Sequence, residues 1–187
     1  MKITIIDNKG KTIISGDYMD MASAIKSNKG FLLDANLEGV NLSDADMCDA
    51  NLVGANLTCA DLRFACLNGA NLLGADLSGA DLEGVDLERA NLSGANMAMT
   101  NMKRADMRGA NLSGADLNGA CMQSADLRMV NLAGADLTKS ILHSVDLRGA
   151  CLNSADLSNA ILRCAYLQGA DLTDAELSGA DLKDARQ

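Results

Sequence analysis

From residue 37 to residue 182 every fifth position is Leu or Met, thirty consecutive units with no insertion. Two residues earlier in each unit, positions 35 through 180 hold Ala in 24 cases and otherwise Val40, Val85, Thr100, Val130, Ser140 or Val145. An α-helix advances about 100° per residue, so a five-residue step turns the leucines by roughly 140° and scatters them around the axis. In an extended strand, residues two apart share a face, so Ala and Leu point inward together while the Asp or Asn between them points out. Five is odd, so the pattern needs a corner. The two residues after Leu supply it, and the second is very often Gly, as at 39, 54, 69, 74, 79, 84 and 94, which tolerates the backbone angles of a tight turn. Each pentapeptide reads as one short edge plus one turn.

The core such units build lacks aromatic bulk. Aromatics are 2% of 187 residues, Trp and Pro are absent, and 48% of the chain is apolar, a bias that signals a repeat architecture. The formal charge is −9, but Met1 to Gly30 carries five Lys against three Asp, so the remaining residues carry −11. An acidic surface disfavours direct nucleic-acid contact or an anionic membrane, both of which need Lys and Arg. The start MKITIIDNKG has no apolar leader core, and no stretch approaches the roughly 18 apolar residues of a membrane span, so a cytoplasmic location is expected. Cys48, Cys59, Cys66, Cys121, Cys151 and Cys164 fall at irregular spacings without a CxxC. They read as reduced thiols, not a zinc site or a disulfide framework.

The phrase GANLLGADLSGADLEGVDLERANLSGANM, residues 69 to 97, resembles the A(D/N)LxG repeat of the pentapeptide-repeat family, and the resemblance runs from about Leu33 to the C-terminus. It implies an all-β fold, a right-handed quadrilateral parallel β-helix with four pentapeptides to each coil. Residues 31–187 would make about seven and a half coils, a rod on the order of 36 Å long at the spacing of neighbouring strands.

Residues 1–30 differ in kind. ITII, DNKG and KTIIS read as two strands joined by a turn, and GDYMDMASAIKSNKG reads as a helix with Asp17 as N-cap, Asp20 at its third position and Met21 and Ile25 on one side. A small β-hairpin plus helix of this sort serves as a cap over the backbone that a first coil leaves unpaired.

With four pentapeptides per coil, every unit stacks on the fourth one before it, and outward positions line up in columns. One column holds Asp76, Asn96, Asp116, Asp136, Asp156 and Glu176, with uncharged neighbours two residues on. This acidic edge is the candidate interaction site. The family resemblance implies mimicry of duplex DNA, as in relatives that protect DNA gyrase from quinolones. Five acids over six coils give about one charge per 5 to 6 Å, against roughly one per 1.7 Å in a duplex, so the polar position of the repeat explains them at least as well. Asp86, Asp106, Asp126 and Asp146 lie beside Arg108, Arg128 and Arg148 and are expected to pair with them, at about 0 to 1 kcal/mol each. Asn51, Asn71, Asn91, Asn111 and Asn131 suit an amide ladder on the least charged side, which also shows Val53, Leu73 and Ala133. Met97, Met102, Met107 and Met122 replace Leu as core. Phe64, Met99 and Met129 occupy corner positions and are expected to protrude as anchors for a partner.

Nothing points to catalysis. The single histidine, His143, has Gln123 and Arg163 as column neighbours, and no triad, zinc site, P-loop or dinucleotide fingerprint occurs. No cofactor or metal is expected. The expected function is a non-enzymatic rod offering a rigid surface to a protein partner that the residues leave unnamed. One alternative is a gyrase modulator acting by charge mimicry. Against it, gyrase-protecting relatives often carry loop insertions and inward Phe, and this chain has neither. The other alternative is a purely structural rod or assembly element. The C-terminus, GADLKDARQ, leaves the last coil open. The resemblance implies a homodimer through that end, whereas Lys183, Asp184 and Arg186 suit protection of the edge by charge.

Overall fold

The computed structural model describes all residues, 1–187. Strands β1 (Lys2–Ile6) and β2 (Thr12–Asp17) pair antiparallel. Their turn is braced by Asp7, whose Oδ1 accepts the backbone N–H of Lys9 and of Lys11, both at 2.9 Å. Helix α1 (Met21–Ser27) follows, with Asp20 as N-cap. The Asp20 carboxylate accepts from Ser23 N at 2.7 Å, and Ser23 Oγ accepts from Asp20 N at 3.2 Å. The helix starts later than the sequence suggests. Asp17 ends β2, and Asp20 has the serine three residues on that closes a reciprocal cap. One 3₁₀ turn, Lys29–Phe31, leads into the repeats.

Asp7 bridges Ala35 antiparallel, and from Asn36 onward every isolated bridge is parallel and joins a residue to its counterpart four units later, from Asn36 with Asn56 to Tyr166 with Arg186. Four pentapeptides therefore return the chain to the same column. We number the four sides by their central residues: first, Leu37, Leu57, Leu77 and onward; second, Leu42 and onward; third, Met47 and onward; fourth, Leu52 and onward.

The repeat phrase follows from an accounting of its backbone donors. In the unit around Leu92, Asn91 N donates back to Ala70 O at 2.9 Å and Leu92 N donates forward to Asn111 O at 2.7 Å. Gly94 N donates forward to Ser113 O at 3.0 Å, and Ala95 N closes the turn onto Leu92 O at 3.0 Å. One donor is left, that of Ser93, and Asn91 Oδ1 accepts it at 3.3 Å. The Asp or Asn is thus the brace for the one N–H that no neighbouring coil can reach, an Asx turn repeated along the rod. The inward Ala, Val, Leu and Met side chains from Leu32 to Leu167 form, with Ile3, Ile5, Ile14, Ala24 and Ile25 of the N-terminal segment, one buried cluster, Val40 alone among them being partly exposed. The two inward hydroxyls, on Thr100 and Ser140, donate to Met97 O and Leu137 O, each at 2.7 Å.

The corner residue of every unit has φ near +60°, and 17 of them are not glycine, so the corner itself does not demand Gly. At some corners a second requirement does. A Cβ placed on Gly84 would lie 2.6 Å from two ring carbons of Phe64, one on Gly119 would lie 2.5 Å from Met99 Sδ, and one on Gly149 would lie 2.5 Å from Met129 Sδ. Each large corner side chain lies flat across the glycine one coil further on.

The N-terminal segment pairs with the first coil. Asn36 N donates to Ile6 O at 2.8 Å and Asn51 N to Lys29 O at 2.9 Å. Toward the other end Leu172, Leu177 and Leu182 are only partly buried, and their N–H groups make no backbone hydrogen bond.

Candidate interaction faces

The acidic edge is one continuous column on the first side, Asp76, Asn96, Asp116, Asp136, Asp156 and Glu176 being successive bridge partners. Asp76, Asp116, Asp136 and Asp156 each accept the N–H two residues on at 2.9 Å, as does Glu176 from Ser178. Hydrogen bonds from the hydroxyl and N–H of Ser158 hold the Asp156 carboxyl below its ordinary range, and Ser178 does the same for Glu176. Asn56 and Asn96 make the same brace on the same side. Bracing the turn accounts for a polar acceptor at these sites, and the choice of Asp over Asn adds the charge.

Phe64, Met99 and Met129 are 60%, 69% and 71% exposed. They stand at three different corners, after the second, first and third sides, so the fold does not gather them into one patch. Each passes over the glycine one coil on, Gly84, Gly119 or Gly149, where no Cβ stands in its way, and most of its surface stays exposed.

On the third side, Arg108, Arg128 and Arg148 grip Asp106, Asp126 and Asp146 of their own units at 2.6 to 2.7 Å. Each of the first two also approaches the acid of the next coil, Arg108 at 3.9 Å from Asp126 and Arg128 at 3.8 Å from Asp146. Arg108 further reaches Glu88 at 3.0 Å. The guanidinium bonds hold the Asp106 and Asp146 carboxyls below their usual range. The amide ladder on the fourth side runs from Asn131 through Asn111 and Asn91 to Asn71, with links of 3.0 to 3.3 Å. It stops short of Asn51, whose buried Oδ1 has no partner.

Two of the six cysteines are not reduced thiols. Cys48 and Cys66 form a disulfide, with Cα atoms 5.4 Å apart, while Cys59, Cys121, Cys151 and Cys164 are free. The two are joined across the same diagonal that brings Arg63 to Asp81 and Arg163 to Asp181, both at 3.8 Å. The residue after one centre meets the residue before the centre of the next coil. That diagonal is the signal that irregular spacing conceals. Asp46 lies beside the two sulfurs, but sulfurs bonded to each other are not thiolate ligands. Its carboxylate instead binds Lys29 and, at 3.3 Å, Lys26. Those bonds, Lys29 first, hold its pKa down at about 2 and tie the cap to the third side. No helix is long and apolar enough to cross a membrane.

A stack of A(D/N)LxG units that returns to the same column every fourth unit defines a repeat protein whose variable chemistry is confined to outward columns. Residues 35–186 match the family of Pentapeptide repeats in eight copies, and the chain belongs to that family. Among solved structures it is similar to HetL, a pentapeptide-repeat protein involved in heterocyst differentiation regulation in the cyanobacterium Nostoc sp. strain PCC 7120. The two are 37% identical over 78% of this chain and 73% of HetL, with a TM-score of 0.43. A pentapeptide-repeat protein from the cyanobacterium Cyanothece 51142 superposes with a TM-score of 0.57 at 26% identity, over 59% of this chain and 90% of that one. QnrB1, a plasmid-mediated fluoroquinolone resistance protein, shares the fold at 21% identity and a TM-score of 0.52, over 78% of this chain and 76% of that one. Among curated proteins none matches the sequence.

Proposed function

We propose that this protein is a right-handed, four-sided parallel β-helical rod, residues 31–187 capped by residues 1–30, that acts without catalysis as a rigid docking surface for a protein partner. The observation that carries this reading is the donor accounting: inward and backbone positions are spent on the fold, and sequence freedom remains only in outward columns of fixed spacing. The cytoplasm is expected from the lack of an apolar leader core at MKITIIDNKG; the Cys48–Cys66 bond suits an oxidising compartment instead. Cross-linking capture by the intact protein, from extract of cells that express it, tests the reading. A stoichiometric partner whose retention falls in outward-column variants that melt like wild type supports it; retention indifferent to every outward column refutes it.

A second reading, modulation of DNA gyrase through Asp76, Asp116, Asp136, Asp156 and Glu176, is favoured by the single column in which those acids stack, interrupted only at Asn96. Supercoiling by purified gyrase, with and without a quinolone, decides it. Protection that weakens in an Asp116→Asn, Asp136→Asn variant of unchanged stability supports mimicry, and no effect at high micromolar protein removes it. The third reading, assembly through the open C-terminal coil, requires a dimeric or larger mass at micromolar concentration.

A further inference from the structure

The outward position before the centre is Asp, Asn or Glu almost everywhere, because it braces the turn. On the second side that rule fails in three successive coils, at Cys121, Ile141 and Ile161. The consequences are specific. The backbone N–H groups of Gln123, His143 and Arg163 donate to no group of this chain, whereas Arg63, Glu83, Lys103 and Lys183 of the same side are braced by Asp or Asn. Ile141 and Ile161 stack as bridge partners and remain 38% and 39% exposed. Each isoleucine gives up a hydrogen bond and presents apolar surface to solvent, so the stability of the turn does not explain it.

The charge on this stretch is also reversed. Between Asn101 and Cys164 the second side carries Lys103, Arg104 and Arg163 and no acid, on a protein of net charge −9. Lys103 and Arg104 are exposed and form no ion pair, and Arg163 has only Asp181 at 3.8 Å. A shallow pocket of about 180 Å³ opens beside them, lined by Glu83, Lys103, Arg104, Gln123 and Ser124.

Resting on the reading of the rod as a docking surface, we propose that the second side from Asn101 to Cys164 is the docking strip, and that its occupant is an acidic amphipathic helix of a partner protein. The spacing selects a helix over a strand. Outward residues on successive coils recur every ~4.8 Å, close to the ~5.4 Å pitch of a helix lying along the rod, whereas like-facing residues of an extended strand recur every ~6.8 Å. One apolar residue per turn would follow Ile161 and Ile141, the hallmark of helix-in-groove recognition. Carboxylates flanking that stripe would meet Lys103, Arg104 and Arg163 and accept the free N–H groups of Gln123, His143 and Arg163.

The test uses a synthetic helical peptide of about four turns, with Leu at every fourth position and Glu on either side of that stripe, titrated into the intact protein and followed by amide NMR shifts. Expected are shifts concentrated on residues 101–164 of the second side, affinity that falls with added salt, and at least tenfold weaker binding to an Ile141→Asn, Ile161→Asn variant. That variant restores the repeat's own brace. A Lys103→Glu, Arg104→Glu variant, altered only at exposed side chains, should weaken binding similarly while melting like wild type. Binding of a Lys-for-Glu or scrambled peptide with equal affinity, shifts mapping to another side, no binding at all, or preference for anionic phospholipid vesicles over the peptide would each overturn the proposal. The capture experiment is independent of it: a partner retained through another column would sink this strip and leave the rod reading standing.

Discussion

The flat packing of corner side chains makes a quantitative prediction at Gly84. Both Gly84 and Gly114 are corners, with φ of +66° and +63°, but a Cβ at Gly114 would meet nothing within 4 Å, while one at Gly84 would lie 2.6 Å from Cδ1 and Cε1 of Phe64. Gly114→Ala therefore isolates the conformational cost, about 1 kcal/mol once the restricted unfolded chain is credited against left-handed strain. Gly84→Ala adds displacement of the ring by roughly 1 Å from an ordinary carbon contact, which Phe64 relieves only by swinging off the corner. Phe64 is 60% exposed, so the covered part of its surface is on the order of 80 Å², worth about 2 kcal/mol. Gly84→Ala should cost about 3 kcal/mol, Phe64→Ala about 2, and the double variant about 3 rather than the additive 5, a coupling of about 2 kcal/mol. Urea unfolding followed by circular dichroism, with hydrogen exchange on residues 60–90 to localise the effect, reads wild type and all four variants. Equal losses for Gly84→Ala and Gly114→Ala, or additive behaviour in the double variant, would refute the reasoning.

Leu112→Asp places a carboxylate at a fully buried central position and should abolish cooperative folding, whereas Leu112→Ala should cost about 2 to 5 kcal/mol; thermal melts compare the two. Reduction of Cys48–Cys66 with a dithiol should lower stability by about 3 kcal/mol, the chain-entropy value for a loop of this size, and a Cys48→Ser, Cys66→Ser variant should be indifferent to reductant. Asp46 is depressed from 3.8 to about 2 by Lys29 and Lys26. The stability it contributes is therefore complete above pH ~4 and lost as pH falls toward ~2. Hydrogen exchange in residues 21–30 should rise through that window in wild type, and Asp46→Asn should flatten the rise.

The core is legible in the sequence because its signal is redundant: thirty inward leucines or methionines report one register, and a single misread position would not move it. The return every fourth unit is not contained in the five-residue period; family resemblance implies it, and the bridges display it. Features that depend on two coils at once are hidden for the same reason. Cys48 and Cys66 look unrelated until position 48 is set diagonally against 66, and Gly84 looks like any other corner until Phe64 is set above it. Asp17 looks like a helix cap until strand β2 is seen to end on it, while the reciprocal partner of Asp20 is Ser23, two positions short of the periodic Ile25. The strip from Asn101 to Cys164 escapes notice because its columns, taken singly, hold only three cations in two columns and two isoleucines in a third.

Every backbone hydrogen bond in the repeats lies within a unit or about one coil away, and all inward residues are nearly interchangeable. Adding or removing one whole coil in mid-rod would therefore change its length and only the side-chain pairs that span the join, whereas adding a single pentapeptide would shift every column below the insertion by one side relative to the N-terminal segment, with the core undisturbed. Surface pattern and folding register are thus separately adjustable in this chain: a lineage or a designer can rotate one docking column against another in quarter-turn steps without having to invent a new interior.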